Sequence, residues 1–257
     1  MKAYKIFLSI VLLFGFVLSL SALDPKDPAE TNVSYPGKDG AVLQGYLAVP
    51  GGSGPFPAVV MVHEWWGLNR DTADLADALA REGFVVLAPD AFRGSVASTA
   101  AEARKQIQET PKEQIAADLD TALDFLRSHP KVDPDRVASQ GFCFGGTQSM
   151  YMGTRNPELA AVVIFYGGGP ITDPQQLGDM KAAGPVLGIY GEEDGGIPVE
   201  QVAAFQKAMT SRGVEHTVTI YPGVGHAFVK SDTYNTGGAP EQAWNQMVRF
   251  LNSTLKR

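Results

Sequence analysis

The sequence predicts an α/β domain with a mostly parallel central sheet and helices on both faces. Two observations lead to this fold class. Short continuous runs of β-branched and apolar residues are typical of strands buried on both faces, and 58–63 (AVVMVH) is the clearest of them. These runs alternate with segments of helical periodicity such as 71–82. Strands that alternate with helices pair in parallel, because each helix carries the chain back across one face of the sheet.

The individual elements follow from these patterns in chain order. Apolar runs, or loose alternation in the first of them, predict strands at 41–49, 58–63, 84–88, 136–139, 161–165, 186–190 and 217–221. Apolar stripes at helical spacing predict helices at 71–82, 100–109, 115–128, 145–154, 199–212 and 239–255. Gly83 ends the first helix as a C-cap. The sequence shows no internal repeat and no boundary of a second domain.

Residues 1–22 have the features of a secretory signal peptide. Lys2 and Lys5 form a positive segment, an uncharged apolar stretch covers 6–20, and small residues precede the Pro-bearing segment 24–28. A signal peptide predicts a protein that is exported to the periplasm or secreted. The alternative is an uncleaved membrane anchor, because the apolar run is about the shortest that spans a bilayer. We expect membrane contact only in that second case.

The rest of the chain suits one domain. The polar segment 23–40 contains Pro and Gly and predicts a linker, which leaves 41–257 as a single domain. The formal net charge is −7 and the pI is near 5.1, so we expect no nucleic-acid partner, because phosphate binding requires a basic surface. The four His residues lack the spacing of metal ligands, so we predict no metal site and no cofactor. We expect a monomer.

Cys143 is the only cysteine in the chain, and it lies in a motif that predicts a nucleophile. The segment Gly141-Phe142-Cys143-Phe144-Gly145-Gly146 falls between a predicted strand and a predicted helix, which is the G-x-nucleophile-x-G elbow of the α/β-hydrolase fold. The sharp turn strains the nucleophile's backbone, and the flanking glycines avoid clashes. We expect the helix N-terminus to favour a thiolate there. The alternative is an inert cysteine that fills core space.

A nucleophile of this kind needs a base and an acid, which follow it in the chain in the order acid, then histidine. His226 lies in a glycine-rich loop after the last predicted strand and is the candidate base. Asp194 lies in the loop after the preceding strand and is the candidate acid, which would hold the histidine tautomer. Glu192 and Glu193 in the same loop are its competitors.

The loop after the strand at 58–63 is predicted to complete the site. In this fold that loop supplies one backbone N–H of an oxyanion hole, and the residue after the nucleophile supplies the other. We therefore assign these donors to Trp65 and Phe144, which together would stabilise the charge of a tetrahedral intermediate. Trp65 and Trp66 are candidates for the wall of a substrate pocket, and ordinary packing is the alternative for either.

With these residues in place, the chain resembles the dienelactone hydrolase family. The matching landmarks are His63-Glu64-Trp65-Trp66-Gly67, Ala88-Pro89-Asp90, the cysteine elbow, the loop 191–194 and Gly225-His226-Ala227-Phe228. The resemblance implies an α/β-hydrolase that cleaves a carboxylic ester or lactone through an acyl-enzyme. It also implies that Glu64 helps to deprotonate Cys143 when substrate binds, whereas the alternative is a polar residue at the mouth of the cleft.

The resemblance implies two cationic positions that bind a substrate carboxylate. Arg93 is near the first, and Lys230 occupies the second, where the family's dienelactone-cleaving members have arginine. Lysine lacks the bidentate fork of arginine, which puts dienelactone itself in doubt as the substrate. Two other functions stay open: a binding protein without catalysis, and an acyltransferase or peptidase on the same fold. The expected partner in each catalytic reading is a small molecule.

Overall fold

The structure, a computed structural model, describes residues 27–256. An eight-stranded sheet forms the centre of this part of the chain. Its strands are β1 (Val33–Pro36), β2 (Val42–Ala48), β3 (Phe56–Val62), β4 (Val85–Pro89), β5 (Val132–Phe142), β6 (Ala161–Phe165), β7 (Val186–Gly191) and β8 (His216–Tyr221). The helices are α1 (Arg70–Arg81), α2 (Ala100–Glu109), α3 (Lys112–Arg127), α4 (Phe144–Arg155), α5 (Val199–Ser211) and α6 (Gly238–Leu255), with a short 3₁₀ helix at Pro174–Leu177.

The sheet is parallel except at one edge. Its strand order is β1-β2-β4-β3-β5-β6-β7-β8, and only the β1–β2 and β2–β4 pairs are antiparallel. The central strands are covered on both faces, so that every residue of β4, β6 and β7 is buried. This explains why their sequences are continuous apolar runs rather than alternating ones. The predicted fold class, with its mostly parallel sheet, is confirmed.

The predicted linker at 23–40 is wrong over its second half. Val33–Pro36 is an edge strand that pairs with β2, and Pro28 forms a bridge with Asn69. In this strand only Tyr35 is buried, where its ring stacks on Phe125 with 4.5 Å between centroids. An edge strand with one buried residue and a terminal proline leaves little hydrophobic pattern in the sequence.

The segment predicted as a signal peptide, 1–22, lies outside the described residues. Between residues 27 and 256, no helix combines the length and the apolar character that crossing a membrane requires.

The parallel strands place their carboxyl ends at one edge of the sheet. The loops that follow β3, β5, β7 and β8 therefore meet there, and they carry Glu64, Cys143, Asp194 and His226. Open parallel sheets bind ligands at this edge.

Candidate active site

Cys143 occupies the turn between β5 and α4 with φ 55° and ψ −114°, a strained conformation for a residue other than glycine. Its N–H donates to the carbonyl of Phe165 at 3.0 Å, which fixes the turn against β6. The turn leaves no room for side chains beside it. A Cβ on Gly145 would lie 2.0 Å from the carbonyl oxygen of Val62, and one on Gly141 would lie 2.2 Å from that of Gly145. The glycines of the elbow are therefore required by close backbone approach.

The thiol of Cys143 lies close to two backbone amides. The N–H groups of Phe144 and Trp65 both lower the pKa of the thiol, and they are the two donors that the sequence predicted for an oxyanion hole. Burial and, second, the charge of Glu64 nevertheless raise the pKa of the thiol to about 12, against the opposing effects of the two amides and Lys230. The sequence had predicted that the helix N-terminus would favour a thiolate. Burial outweighs it, because desolvation penalises the charged form, and the resting thiol is protonated at neutral pH.

His226 and Asp194 form a hydrogen-bonded pair. Nδ1 of His226 lies 2.6 Å from Oδ2 of Asp194, and the N–H of Gly196 donates to the other carboxylate oxygen at 2.9 Å. The Asp194 side chain is almost fully buried, whereas Glu192 and Glu193 are exposed. Asp194 is thus the acid of this loop that contacts the histidine. Among residues 27–256, no hydrogen bond joins His226 to the thiol.

Glu64 and Lys230 form an ion pair beside the thiol. Glu64 is buried, and its second carboxylate oxygen, Oε1, is buried without a hydrogen-bond partner. The loop that carries Lys230 is fixed to the start of α1, because both the N–H and the hydroxyl of Ser231 donate to Asp71, at 2.8 and 2.7 Å. Glu64 is therefore a buried carboxylate whose charge is balanced by one lysine and whose second oxygen lacks a partner.

His63 positions the peptide that joins Glu64 to Trp65, a role that the sequence did not reveal. The N–H of Ala91 donates to Nε2 of His63 at 3.1 Å, so the proton of the neutral ring is on Nδ1, which contacts the carbonyl oxygen of Glu64 at 2.6 Å. Burial lowers the pKa of His63 and keeps the ring neutral. A trans peptide points its C=O and N–H in opposite directions, so holding this carbonyl aims the N–H of Trp65 at the thiol. The one signal in the sequence was a histidine at the end of a buried strand.

Arg93 does not reach the site. Its guanidinium makes two hydrogen bonds to Asp118, at 2.7 and 2.8 Å, and an ion pair with Asp39 at 2.9 Å. Two cavities lie beside Cys143, and Arg93 lines neither of them. The predicted role of Arg93 in binding a substrate carboxylate is therefore not supported, because two carboxylates of the chain already occupy its donors.

Two cavities meet at Cys143, and Trp65, Cys143 and His226 line both. The first, of about 600 Å³, is lined by Trp66, Asn69 and four charged side chains, Glu64, Asp71, Lys230 and Asp232; we call it the polar cavity after these charges. The second, of about 680 Å³, extends beside α4; we call it the α4 trough. Both volumes fall in the range of small-molecule sites, about 300–1,000 Å³. The structure thus brings together the candidate residues apart from Arg93.

Over residues 27–256, no cluster of three or more His, Cys, Asp or Glu side chains could hold a metal ion.

Comparisons with known proteins identify the family of this chain. The model of the dienelactone hydrolase family matches residues 43–255. The chain is 34% identical over 228 residues to "Protein usf" of Aquifex pyrophilus, covering 85% of this chain and 96% of that one. It is 32% identical over 229 residues to a protein of Aquifex aeolicus named "Putative carboxymethylenebutenolidase", with the same coverage.

A solved structure leads to the same family. A dienelactone hydrolase-like promiscuous phosphotriesterase from metagenomic libraries superposes with a TM-score of 0.74 at 28% identity, covering 86% of this chain and 97% of that one. The resemblance inferred from the short motifs is confirmed. The chain is therefore a hydrolase that belongs to the dienelactone hydrolase family.

Proposed function

We propose that this protein hydrolyses a carboxylic ester or lactone through a covalent thioester on Cys143. The observation that carries the proposal is the position of the thiol, close to the amides of Phe144 and Trp65 on a cavity wall that also contains His226. Nucleophile, charge-stabilising donors and a base paired with an acid are the parts that acyl transfer requires.

The proposed reaction has two halves. The sulfur of Cys143 attacks the carbonyl carbon, and the two amides stabilise the negative charge that develops on the oxygen. The C–O bond to the leaving group breaks, and His226 relays to that oxygen the proton that the thiol gave up to Glu64. Water, deprotonated by His226, then attacks the thioester, and the C–S bond breaks to release the acid and regenerate the thiol. Asp194 holds Nδ1 of His226 and stabilises the imidazolium in both halves.

The resting thiol needs a trigger, because burial and Glu64 hold its pKa near 12. We propose that Glu64 takes the proton of Cys143 once its pairing with Lys230 is weakened. A substrate carboxylate in the polar cavity would do this by competing for Lys230. The reactive thiolate would then exist only with substrate present, which limits its oxidation.

A matched pair of esters, one with a carboxylate near the scissile bond and one neutral, tests the role of Lys230. We expect Lys230→Gln to reduce kcat/KM for the anionic ester by about 10- to 100-fold more than for the neutral ester, because a charge-assisted contact is worth about 1.5–3 kcal/mol. Lys230→Arg keeps the charge and should retain most of the difference. Arg93→Gln is the control outside the cavities. Equal losses on both esters would remove the carboxylate-binding role.

The covalent step can be observed directly. Acid quenching of the purified protein during turnover of a p-nitrophenyl ester whose acyl group carries a carboxylate should trap that acyl group on the peptide that contains Cys143, detected by mass spectrometry. Release of p-nitrophenolate without a label on that peptide would contradict the thioester. No release at all would favour a binding protein that keeps the fold without the reaction.

A further inference from the structure

The α4 trough follows one face of a helix along its whole length. Six residues of α4 line it, and their spacing of three or four places them on one side: Phe144, Thr147, Gln148, Tyr151, Thr154 and Arg155. At 1.5 Å per residue, the face from the first to the last of these is about 16 Å long. The trough starts at Cys143 and continues away from it, so it is long rather than round.

The opposite wall of the trough is mainly apolar. It is formed by Ile107 of α2, by Ile115 and Ala116 of α3 with Lys112 and Glu113 at the start of that helix, and by Trp65 at the end beside the thiol. On the α4 side, Tyr151 leaves 43% of its surface exposed, which is unusual for a large aromatic side chain in this protein. The trough therefore offers apolar surface to a ligand along most of its length.

Three charged side chains line the trough, and only Arg155 is at the end of α4 far from Cys143. Arg155 is paired with Asp120 at 2.9 Å, and the exposed Lys112 and Glu113 carry opposite charges at the start of α3. The trough thus has no excess of one charge to attract an ion. It contrasts with the polar cavity on the other side of Cys143, which contains Glu64, Lys230 and Asp232.

We propose that the α4 trough binds an extended apolar limb of the substrate, so that the preferred substrate is a linear ester rather than a compact lactone. This inference rests on the proposed ester hydrolysis. A small ring attached at Cys143 would leave most of the trough wall in water, whereas an alkyl chain would cover it. The limb can belong to the acid or to the alcohol, because both are bonded to the carbonyl carbon that Cys143 attacks.

Two series of esters test the proposal. In the first, p-nitrophenyl esters range from acetate to octanoate; in the second, alkyl acetates carry alcohols of the same range of lengths. We expect kcat/KM to rise in one series by up to about fourfold per methylene, the value for its transfer from water to an apolar site. The series that responds identifies the limb. Both Ala116→Trp and Gln148→Trp, which fill the trough from opposite walls, should flatten that dependence, and either serves if the other fails to fold.

Ala101→Trp is the matched control, since Ala101 is exposed on α2 and does not line the trough. This variant should keep the wild-type dependence on chain length. Thiol-dependent hydrolysis with flat rates in both series would overturn the trough proposal and leave the proposed function intact. A steep dependence that survives in both trough variants would also overturn it. Failure of every ester, including the one that carries a carboxylate, to acylate Cys143 would overturn the proposed function, and the trough proposal with it.

Discussion

Replacement of Cys143 by alanine is expected to abolish ester hydrolysis while the protein stays folded. Removing the nucleophile should reduce kcat by roughly 10⁴-fold or more, because the residues of such a site act as a unit and no neighbour substitutes for the missing atom. The turn itself depends on the close backbone approaches at Gly141 and Gly145, which alanine at 143 leaves unchanged. Turnover of a p-nitrophenyl ester and the melting temperature measure the two expectations.

Cys143→Ser supplies the control for this experiment. It keeps an atom that can form the acyl bond, so it should retain a small, measurable activity where the alanine variant has none. Ester turnover of the alanine variant near that of the wild type would disprove the assignment of Cys143 as nucleophile.

Asp194→Asn is expected to lower kcat by roughly 10³- to 10⁴-fold, the effect of a wrongly held histidine tautomer. The side-chain amide can donate to Nδ1 of His226, which would put the ring proton on Nε2, where it prevents the ring from accepting another. The shape of the side chain and its contact with the N–H of Gly196 are retained, so the melting temperature should change little.

Glu192→Gln is the matched control, since it removes an exposed carboxylate from the same loop. We expect this variant to keep nearly full activity. A comparable loss in both variants would show that the loop needs negative charge in general rather than a specific partner for His226.

The sequence predicted the fold and the central residues of the site because short local patterns encode them. The glycines around Cys143 reflect backbone contacts within one turn and its neighbouring strands, and Asp194 and His226 follow predictable strand ends. The prediction that Arg93 binds substrate failed because its partner Asp118 is 25 residues away on α3, and no local sequence pattern indicates that pairing. The protonated thiol was likewise missed, since burial is a property of the assembled site.

We expect the contact between His63 and the carbonyl of Glu64 to affect how this protein discriminates among substrates. The N–H of Trp65 is oriented by a side chain of the protein and not by the ligand, so this half of the proposed oxyanion hole is in place before anything binds. Enzymes that build such a hole on binding can reject a wrong substrate by leaving the hole unmade. In the proposed reaction this protein does not use that form of induced fit, so we expect discrimination among substrates to depend on the two cavities and on the proposed competition for Lys230.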